Sequence, residues 1–559
     1  MSLTTLQSRQ RTASPLPFAN LPHRASSELH RITRVSKRAS MIHCRAMSKT
    51  GQGLLRIACA ALMGSSAFTV QAQVRQTAYL KASNAEAGDH FGNGGTLEGK
   101  GVALSGDGAT MAVGAPSESS QAKGVGGDQK DNSLYSSGAV YIFTRAGNNW
   151  AQQAYIKASN PGQSDRFGYA VSLSQDGNTL AVSAVFEASA AKGVNGNQND
   201  RSIPQAGAVY IFTRTGTNWT QQAYIKASNT GEAGKGDELT DGDQFGFSIG
   251  LSADGNTLAV GAISEDSGAK GIGGDQNDNS KVSSGGVYVF ARAAGSWTQQ
   301  AYIKASNSDP NDLFGYAVGL SADGNTLAAS AYDEDGGSRA INGTQDTARR
   351  GSGAVYVFTR TDGVWAQTAY LKASNGEAGD SMGYDVAISQ DGNTIAAGAA
   401  DEDCLKPGVN PEGCDNDRAD DQSAGAAYVF VRSGGMWSQQ AFLKASNPGK
   451  EDWFAARLTL SGDGNTLAVG AQLENGSSKV INGPDDDAAE DAGAVYLFTR
   501  TGATWRQVAY VKAANAKAYA EFGSAMALSR DGALMAIGAR SEGTDDQRES
   551  GAVYVFSTR

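Results

Sequence analysis

The chain has 559 residues, with 71 glycines against 11 prolines and a formal charge of −10. The charge is unevenly spread: residues 1–72 hold ten Lys or Arg and one acidic residue, which leaves 37 basic against 56 acidic residues in the remainder. A body this acidic excludes nucleic acid and anionic membrane surfaces as partners, since both require positive charge, and leaves cations and neutral or cationic ligands open.

Residues 1–46 are rich in Ser and Arg and carry no periodicity, so they read as a structureless leader or as sequence upstream of a true start at Met47. A transit peptide is the alternative for this composition. From Met47 the pattern changes. Lys49 and Arg56 give a basic start, Ile57 to Val70 is an apolar run of small residues, and Val70-Gln71-Ala72 fits a small-x-small cleavage site. Residues 47–72 therefore read as a signal peptide and the mature chain as starting at Gln73. The run is short for a membrane anchor, and Arg56 stands where a lipoprotein signal ending at Cys59 would need an aliphatic residue.

Residues 73–559 are one repetitive domain. Each copy reads roughly FG-x-AV-x-LS-x-DGNTLAVGA, then a variable acidic loop, then GAVYVFTR-x-G-x-x-W-x-QQAYIKASN. The anchor positions are Phe91, Phe167, Phe245, Phe314, Met382 in place of Phe, Phe454 and Phe522. A period near 70 residues marks supersecondary units that bury their apolar faces against one another. In the second copy, alternating apolar residues predict strands over 169–174, 179–184, 208–214 and 221–227. Asp176-Gly177-Asn178 and the TRTGTNW segment over 213–219 supply tight turns, and only the second-to-third connection, 185–207, is long. The unit is a four-stranded antiparallel meander.

The phase of the repeat predicts closure. The AYIKASN strand first occurs before the first Phe-Gly, and the chain stops just after the seventh GAVYVF. Pairing residues 77–83 with 551–557 completes the last unit. The expected fold is all-β, a seven-bladed β-propeller of four-stranded antiparallel blades, closed by the N-terminal strand. In such a ring the Phe of Phe-Gly and the Tyr of GAVYVF fill the core between blades, and the glycines allow close backbone approach. Lys81, Lys157, Lys226, Lys304, Lys372, Lys444 and Lys512 fall on the outermost strands, where charge discourages edge-to-edge pairing.

Histidine is nearly absent after the leader. His23, His30 and His43 lie in it, leaving His90 alone, so paired-His zinc chemistry is excluded. His90 occupies a slot held in other copies by Arg166, Gln244, Leu313 and Trp453, the mark of a surface position. Cys404 and Cys414 share one loop and read as a disulfide in an exported protein. Acidic residues carry what chemistry remains. Asp89, Asp165, Asp243, Asp312, Asp380 and Asp452 each lie two residues before an anchor. The long loops add Glu265-Asp266, Asp333-Glu334-Asp335, Asp401-Glu402-Asp403 and Asp485-Asp486-Asp487. The fourth-to-first and second-to-third connections of a meander blade emerge on the same side, so these acids gather on one face. They read either as candidate Ca²⁺ ligands or, for the six pre-anchor residues, as Asx caps of their turns.

Phe-Gly, a run ending in Gly-Ala, and Gly-Ala-Val-Tyr resemble the FG-GAP repeat of the integrin α-subunit propeller and of exported bacterial proteins. The resemblance spans nearly all of 74–559. It implies a seven-bladed propeller with ligand contacts on the long-loop face and roles in adhesion or extracellular binding. The related repeats often carry a DxDxDGxxxD calcium loop. Here the corresponding turns offer one carboxylate each, at Asp107, Asp176, Asp254, Asp323, Asp391, Asp463 and Asp531, against the roughly six to eight oxygens Ca²⁺ takes. Those Asp-Gly pairs read as plain turns.

The expectation is an exported, monomeric, non-enzymatic propeller, extracellular, cell-surface or periplasmic, that engages a protein or glycan through its acidic long-loop face without entering a membrane. The alternatives are a carboxylate-based carbohydrate-active enzyme and a purely structural envelope protein.

Overall fold

The computed structural model describes residues 74–93, 99–231, 242–414, 422–544 and 548–559. The expected leader segments, 1–46 and 47–72, lie outside the described residues. The described chain forms seven four-stranded antiparallel sheets, each one blade of a propeller. In blade 2 the strands run Phe167–Leu173, Thr179–Ala184, Ala208–Thr215 and Asn218–Ile225, in that order from the axis outward. Blades 1 and 3–6 repeat the arrangement over 102–156, 245–303, 318–371, 386–443 and 454–511. Blade 7 takes Phe522–Leu528, Leu534–Ala539 and Ala552–Ser557 from the C-terminus and Arg75–Leu80 from the start of the described chain. The register there runs from Arg75 opposite Ser557 to Leu80 opposite Val553. The ring thus closes as the phase of the repeats predicts.

The repeated Phe-Gly and Gly-Ala pairs explain each other. The Phe167 ring packs edge-on against Tyr210 (5.3 Å) and Phe212 (6.1 Å) in a core shared with Val140 and Ile142 of blade 1. Its backbone lies on Gly138 of blade 1, where an added Cβ would come 2.1 Å from the Phe167 carbonyl oxygen. A side chain at that glycine would push two blades apart.

Towards the tight-turn side, the blades are joined around the axis by a closed circuit of seven backbone hydrogen bonds. Gly106 N–H donates to the Gln175 carbonyl, Gln175 to Ala253, Ala253 to Ala322, Ala322 to Gln390, Gln390 to Gly462, Gly462 to Arg530, and Arg530 back to Gly106, all at 2.8–3.0 Å. Leu104, Leu173, Leu251, Leu320, Ile388, Leu460 and Leu528, one per blade, surround this end and leave a cavity of about 170 Å³.

The recurring lysines do not guard the outer edge. Lys157, Lys226, Lys304, Lys372, Lys444 and Lys512 are buried and ion-pair with Glu118, Glu187, Glu265, Glu334, Glu402 and Glu474 at 2.5–2.9 Å. Lys81 makes the seventh pair, with Glu542 at 2.9 Å. Each Glu is also reached by an Asn from the preceding blade: Asn84, Asn160, Asn229, Asn307, Asn375, Asn447 and Asn515 donate from Nδ2 at 2.7–3.5 Å. The same Asn accepts a hydrogen bond from the GAVYVF tyrosine in six blades. Lys, Glu, Tyr and Asn together latch each blade to its neighbour. A lysine at a strand end turns inward here because its charge finds a carboxylate. In blades 1, 2, 3 and 5 the long loop doubles back onto the outer edge: Val125 pairs with Ile156, Val194 with Ile225, Ile272 with Ile303 and Val409 with Leu443.

Candidate functional site

Most of the acid that sequence places on the long-loop face is already engaged within the protein. Glu265, Glu334 and Glu402 hold the buried lysines. Asp266, Asp335 and Asp403, one residue on, accept backbone N–H groups from Ser283, Gly351, and both Gln422 and Ser423, and so staple the bases of their loops. Asp333 and Asp401 are half-buried, and Asp401 lies 3.4 Å from the Ser423 hydroxyl. Burial raises the Asp333 pKa, with Asp335 adding to the effect. Asp485, Asp486 and Asp487 stand exposed. Among the described residues no group of three or more His, Cys, Asp or Glu is arranged to hold a metal ion.

The pre-anchor aspartates are turn residues. Asp89, Asp312, Asp380 and Asp452 each accept the backbone N–H three residues earlier, at 2.6–2.9 Å. Asp165 pairs with Arg201. Burial pushes Asp89, Asp380 and Asp452 up to about 7 and Asp312 to about 8. The seven Asp-Gly residues behave as plain turns: Asp176 Oδ1 accepts from the Ser174 hydroxyl and from the Asn178 N–H, and the other six repeat this with their own Ser. Cys404 and Cys414 are joined by a disulfide.

What the latches leave is the variation. Two positions flanking each Phe-Gly differ from blade to blade. The residue before the anchor is His90, Arg166, Gln244, Leu313, Ser381, Trp453 or Glu521, and in every blade it adopts a left-handed backbone with φ between 53° and 58°. Such a conformation is unfavourable for side-chain-bearing residues and is kept only where the surrounding fold enforces it. The residue after the glycine position is Asn93, Tyr169, Phe247, Tyr316, Tyr384, Ala456 or Ser524. A hydrogen bond of 3.0–3.2 Å from the second residue's N–H to the first residue's carbonyl closes a tight turn in all seven blades. His90 is accordingly not on an outer surface. It is partly buried, touching Ser117 and Glu549, and burial lowers its pKa.

These turns sit close to the axis on the long-loop side. Tyr169 meets Phe247 at 5.6 Å, Phe247 meets Tyr316 at 5.0 Å, Tyr316 meets Tyr384 at 5.6 Å and Tyr384 meets Trp453 at 6.0 Å. Equivalent positions on a seven-fold ring at the 5.0–5.6 Å spacings lie about 6 Å from the axis. The result is an aromatic arc along blades 2–6, thickened by Tyr332 at 4.2 Å from Tyr316. Tyr316, Tyr332 and Trp453 are half-buried.

The rest of the circle is polar. Lys100, on the approach to the innermost strand of blade 1, reaches across to blade 5, where Nζ lies 2.7 Å from Asp385 Oδ1 and donates to the Val386 carbonyl at 2.9 Å. Asp385 Oδ2 also accepts the Leu458 N–H of blade 6. Arg540 pairs with Glu521. Arg457 is buried; its Nε donates to the Ser524 carbonyl (3.1 Å) and its Nη1 to the Ala456 carbonyl (2.7 Å). Burial raises the pKa of the Tyr384 hydroxyl, and Arg457, Asp401 and Arg540 all act on it electrostatically.

Sequence reasoning missed both the latch and the arc. The latch was marked by one invariant Glu three residues after each Gly-Ala or Ser-Ala, matched by one invariant Lys per repeat. The arc was marked by aromatics after Phe-Gly in four consecutive copies.

The fold and the latches define a seven-bladed β-propeller built from one repeated unit. The chain belongs to the FG-GAP repeat family, whose model matches residues 150–212, 297–358, 365–430, 437–498 and 505–556. Among curated proteins none matches it. Solved structures with a partial likeness include a candidate 6-phosphogluconolactonase from Bacteroides uniformis (10% identity, TM-score 0.41, 74% of this chain and 85% of that one). Another is the hydrazine synthase of Kuenenia stuttgartiensis (13% identity, TM-score 0.43, 79% and 93%). At these values neither bears on activity.

Proposed function

We propose that the protein is an exported, non-enzymatic binding scaffold that seats a glycan at the axial mouth of its long-loop face. The observation that carries this reading is the aromatic arc. Every position that repeats faithfully has a structural task in latches, turns or cores. The turns flanking Phe-Gly do not repeat, and their departures from symmetry are grouped: aromatics on four consecutive blades, then Trp453, then small and polar residues. Tyr169, Phe247 and Tyr384 are buried and back the wall, while Tyr316, Tyr332 and Trp453 keep exposed ring surface beside fixed polar groups. Such rings suit a sugar, whose C–H face stacks on π surfaces while its hydroxyls take hydrogen bonds. Among the described residues no helix is long and apolar enough to cross a membrane. Membership of a repeat family used in extracellular binding supports export.

A hydrolytic role has less support. Two carboxylates at the axial turns, Asp385 and Glu521, are each paired with a cation, and the tight-turn end of the axis is walled by aliphatic side chains. The test is an oligosaccharide array probed with residues 73–559, alongside Trp453→Ala and Tyr316→Ala. The expected result is saturable binding to a defined saccharide set that both substitutions weaken by about tenfold or more. Binding unchanged by both, or no binding to any saccharide, overturns the proposal.

A further inference from the structure

Arg457 has no counterpart in the other blades. The residue three after the anchor is Ala170, Ser248, Ala317 and Ala525 in blades 2, 3, 4 and 7, and Asp385 in blade 5. Asp385 is accounted for by Lys100 and by two backbone N–H groups. Arg457 is not. It is 5% exposed, and among the described residues no carboxylate pairs with it. Its hydrogen bonds go to two backbone carbonyls, and among the described residues Nη2 has no acceptor. Burying a guanidinium is costly unless a counter-charge compensates it. Two other cations near the axis have theirs, Lys100 in Asp385 and Arg540 in Glu521.

The placement of this charge is specific. The carbonyls that hold the guanidinium belong to Ala456 and Ser524, the residues that occupy in blades 6 and 7 the position of the arc aromatics. The charge therefore sits on the axial wall where the aromatic arc ends, within electrostatic reach of the Tyr384 hydroxyl. Ala456 and Tyr384 pack together, with Trp453 against them.

Resting on the glycan reading above, we infer that the sugar seated at the arc is acidic, a hexuronate whose carboxylate completes the coordination of Arg457 while its pyranose ring stacks on Trp453 and the neighbouring tyrosines. Arginine suits this task because its planar donors match a carboxylate. A neutral sugar would leave the buried charge uncompensated. A protein ligand presenting a single Asp or Glu would satisfy Arg457 but would make no use of a ring-sized aromatic wall.

The test uses residues 73–559 and paired probes: trisaccharides of galacturonate and of glucuronate, each with its methyl ester, titrated by calorimetry. Wild type is expected to bind one acid about 10- to 100-fold more tightly than its ester, the worth of a charged hydrogen bond. Arg457→Met should erase that preference with only a small fall in melting temperature, since it strands no ion-pair partner and loses only two hydrogen bonds to backbone carbonyls. Trp453→Ala should weaken acid and ester alike. Equal affinity for acid and ester in wild type, or a preference that survives Arg457→Met, overturns the acidic reading while a neutral glycan seat stands. Absence of binding to these four probes overturns it as well, and the oligosaccharide array then shows separately whether the seat itself fails. If Arg457→Met does not fold, Arg457→Lys serves: it keeps the charge, loses the paired donors, and is expected to reduce the acid preference.

Discussion

Glu265→Gln tests the claim that buried lysine–glutamate pairs hold the blades in place. Lys304 and Glu265 side chains are 0% and 1% exposed, and Nζ lies 2.6 Å from Oε2. Burial lowers the pKa of Lys304, and the carboxylate opposes that shift. Glu265 also accepts from the Tyr302 hydroxyl and from Asn229, so one carboxylate serves an ion pair and two hydrogen bonds, one of them from the preceding blade. Converting it to an amide leaves a buried ammonium without its ion-pair partner, held by the Ser284 hydroxyl and by the more distant Asp266 and Asp243. Breaking a buried pair in this way costs about 3–5 kcal/mol. The double variant Glu265→Gln/Lys304→Met removes the stranded charge and is expected to recover at least about half of that loss, roughly 2 kcal/mol. Urea unfolding followed by tryptophan fluorescence measures both, with Glu451→Gln at an exposed pair as the control expected to change little. If Glu265→Gln falls within about 1 kcal/mol of wild type, or if the double variant is no more stable than the single, the latch is not what holds the blades together.

Two further outcomes follow from the same geometry. In four blade interfaces a Gln of the preceding outermost strand accepts from the next blade's Trp Nε1, at 2.9–3.1 Å. Thr368 stands in that place before Trp437, whose buried Nε1 has no partner among the described residues. Thr368→Gln is expected to stabilise by about 1 kcal/mol, and a gain that persists in a Trp437→Phe background would refute the explanation. The raised pKa values of Asp89, Asp312, Asp380 and Asp452 give a pH dependence. A carboxyl whose folded pKa lies above its unfolded value keeps its proton in the fold, so it contributes stability that is full below about pH 4 and lost as pH rises through about 7 to 8. The melting temperature should fall from pH 5 to pH 8, and Asp312→Asn should flatten that fall. A melting temperature that climbs over the interval contradicts the assignment.

The ring was legible in the sequence because its determinants are periodic. Strands, tight turns and the closing strand each follow from a pattern visible within 70 residues, and the closure follows from where the first and last copies break off. The direction of the lysines was not legible. A lysine at the end of an outermost strand has the same local signature whether it faces water or a carboxylate 39 residues earlier, as Lys157 faces Glu118. Likewise Asp266 and Asp403 read as surface acids, since nothing local shows that the backbone N–H groups they accept return to them 17 to 20 residues later. Long-range pairing decided both, and it converted part of an apparent acidic face into internal structure, while Asp485, Asp486 and Asp487 stay exposed.

The site was illegible for a different reason. Tyr169, Phe247, Tyr316, Tyr384 and Arg457 are separated from one another by roughly one repeat each, and in sequence every one of them is a single exception in its own copy. Only closure of the ring sets them side by side, because equivalent positions approach one another near the axis and diverge at the rim. Repetition then acts as an internal control. At Glu118 and its six equivalents the fold demands the same residue seven times, and the demand is met. At the residue following Phe-Gly the fold demands nothing in particular, since Asn, Ser, Ala, Phe and Tyr all close the same turn with the same hydrogen bond. A contiguous run of aromatics where any residue closes the turn exceeds what the turn itself demands. Tyr169, Phe247 and Tyr384 also pack as buried core, but Tyr316 and Trp453 keep exposed surface, and the run ends at a buried arginine with no counter-charge among the described residues. That asymmetry is the physical ground on which a ligand is proposed at the axis.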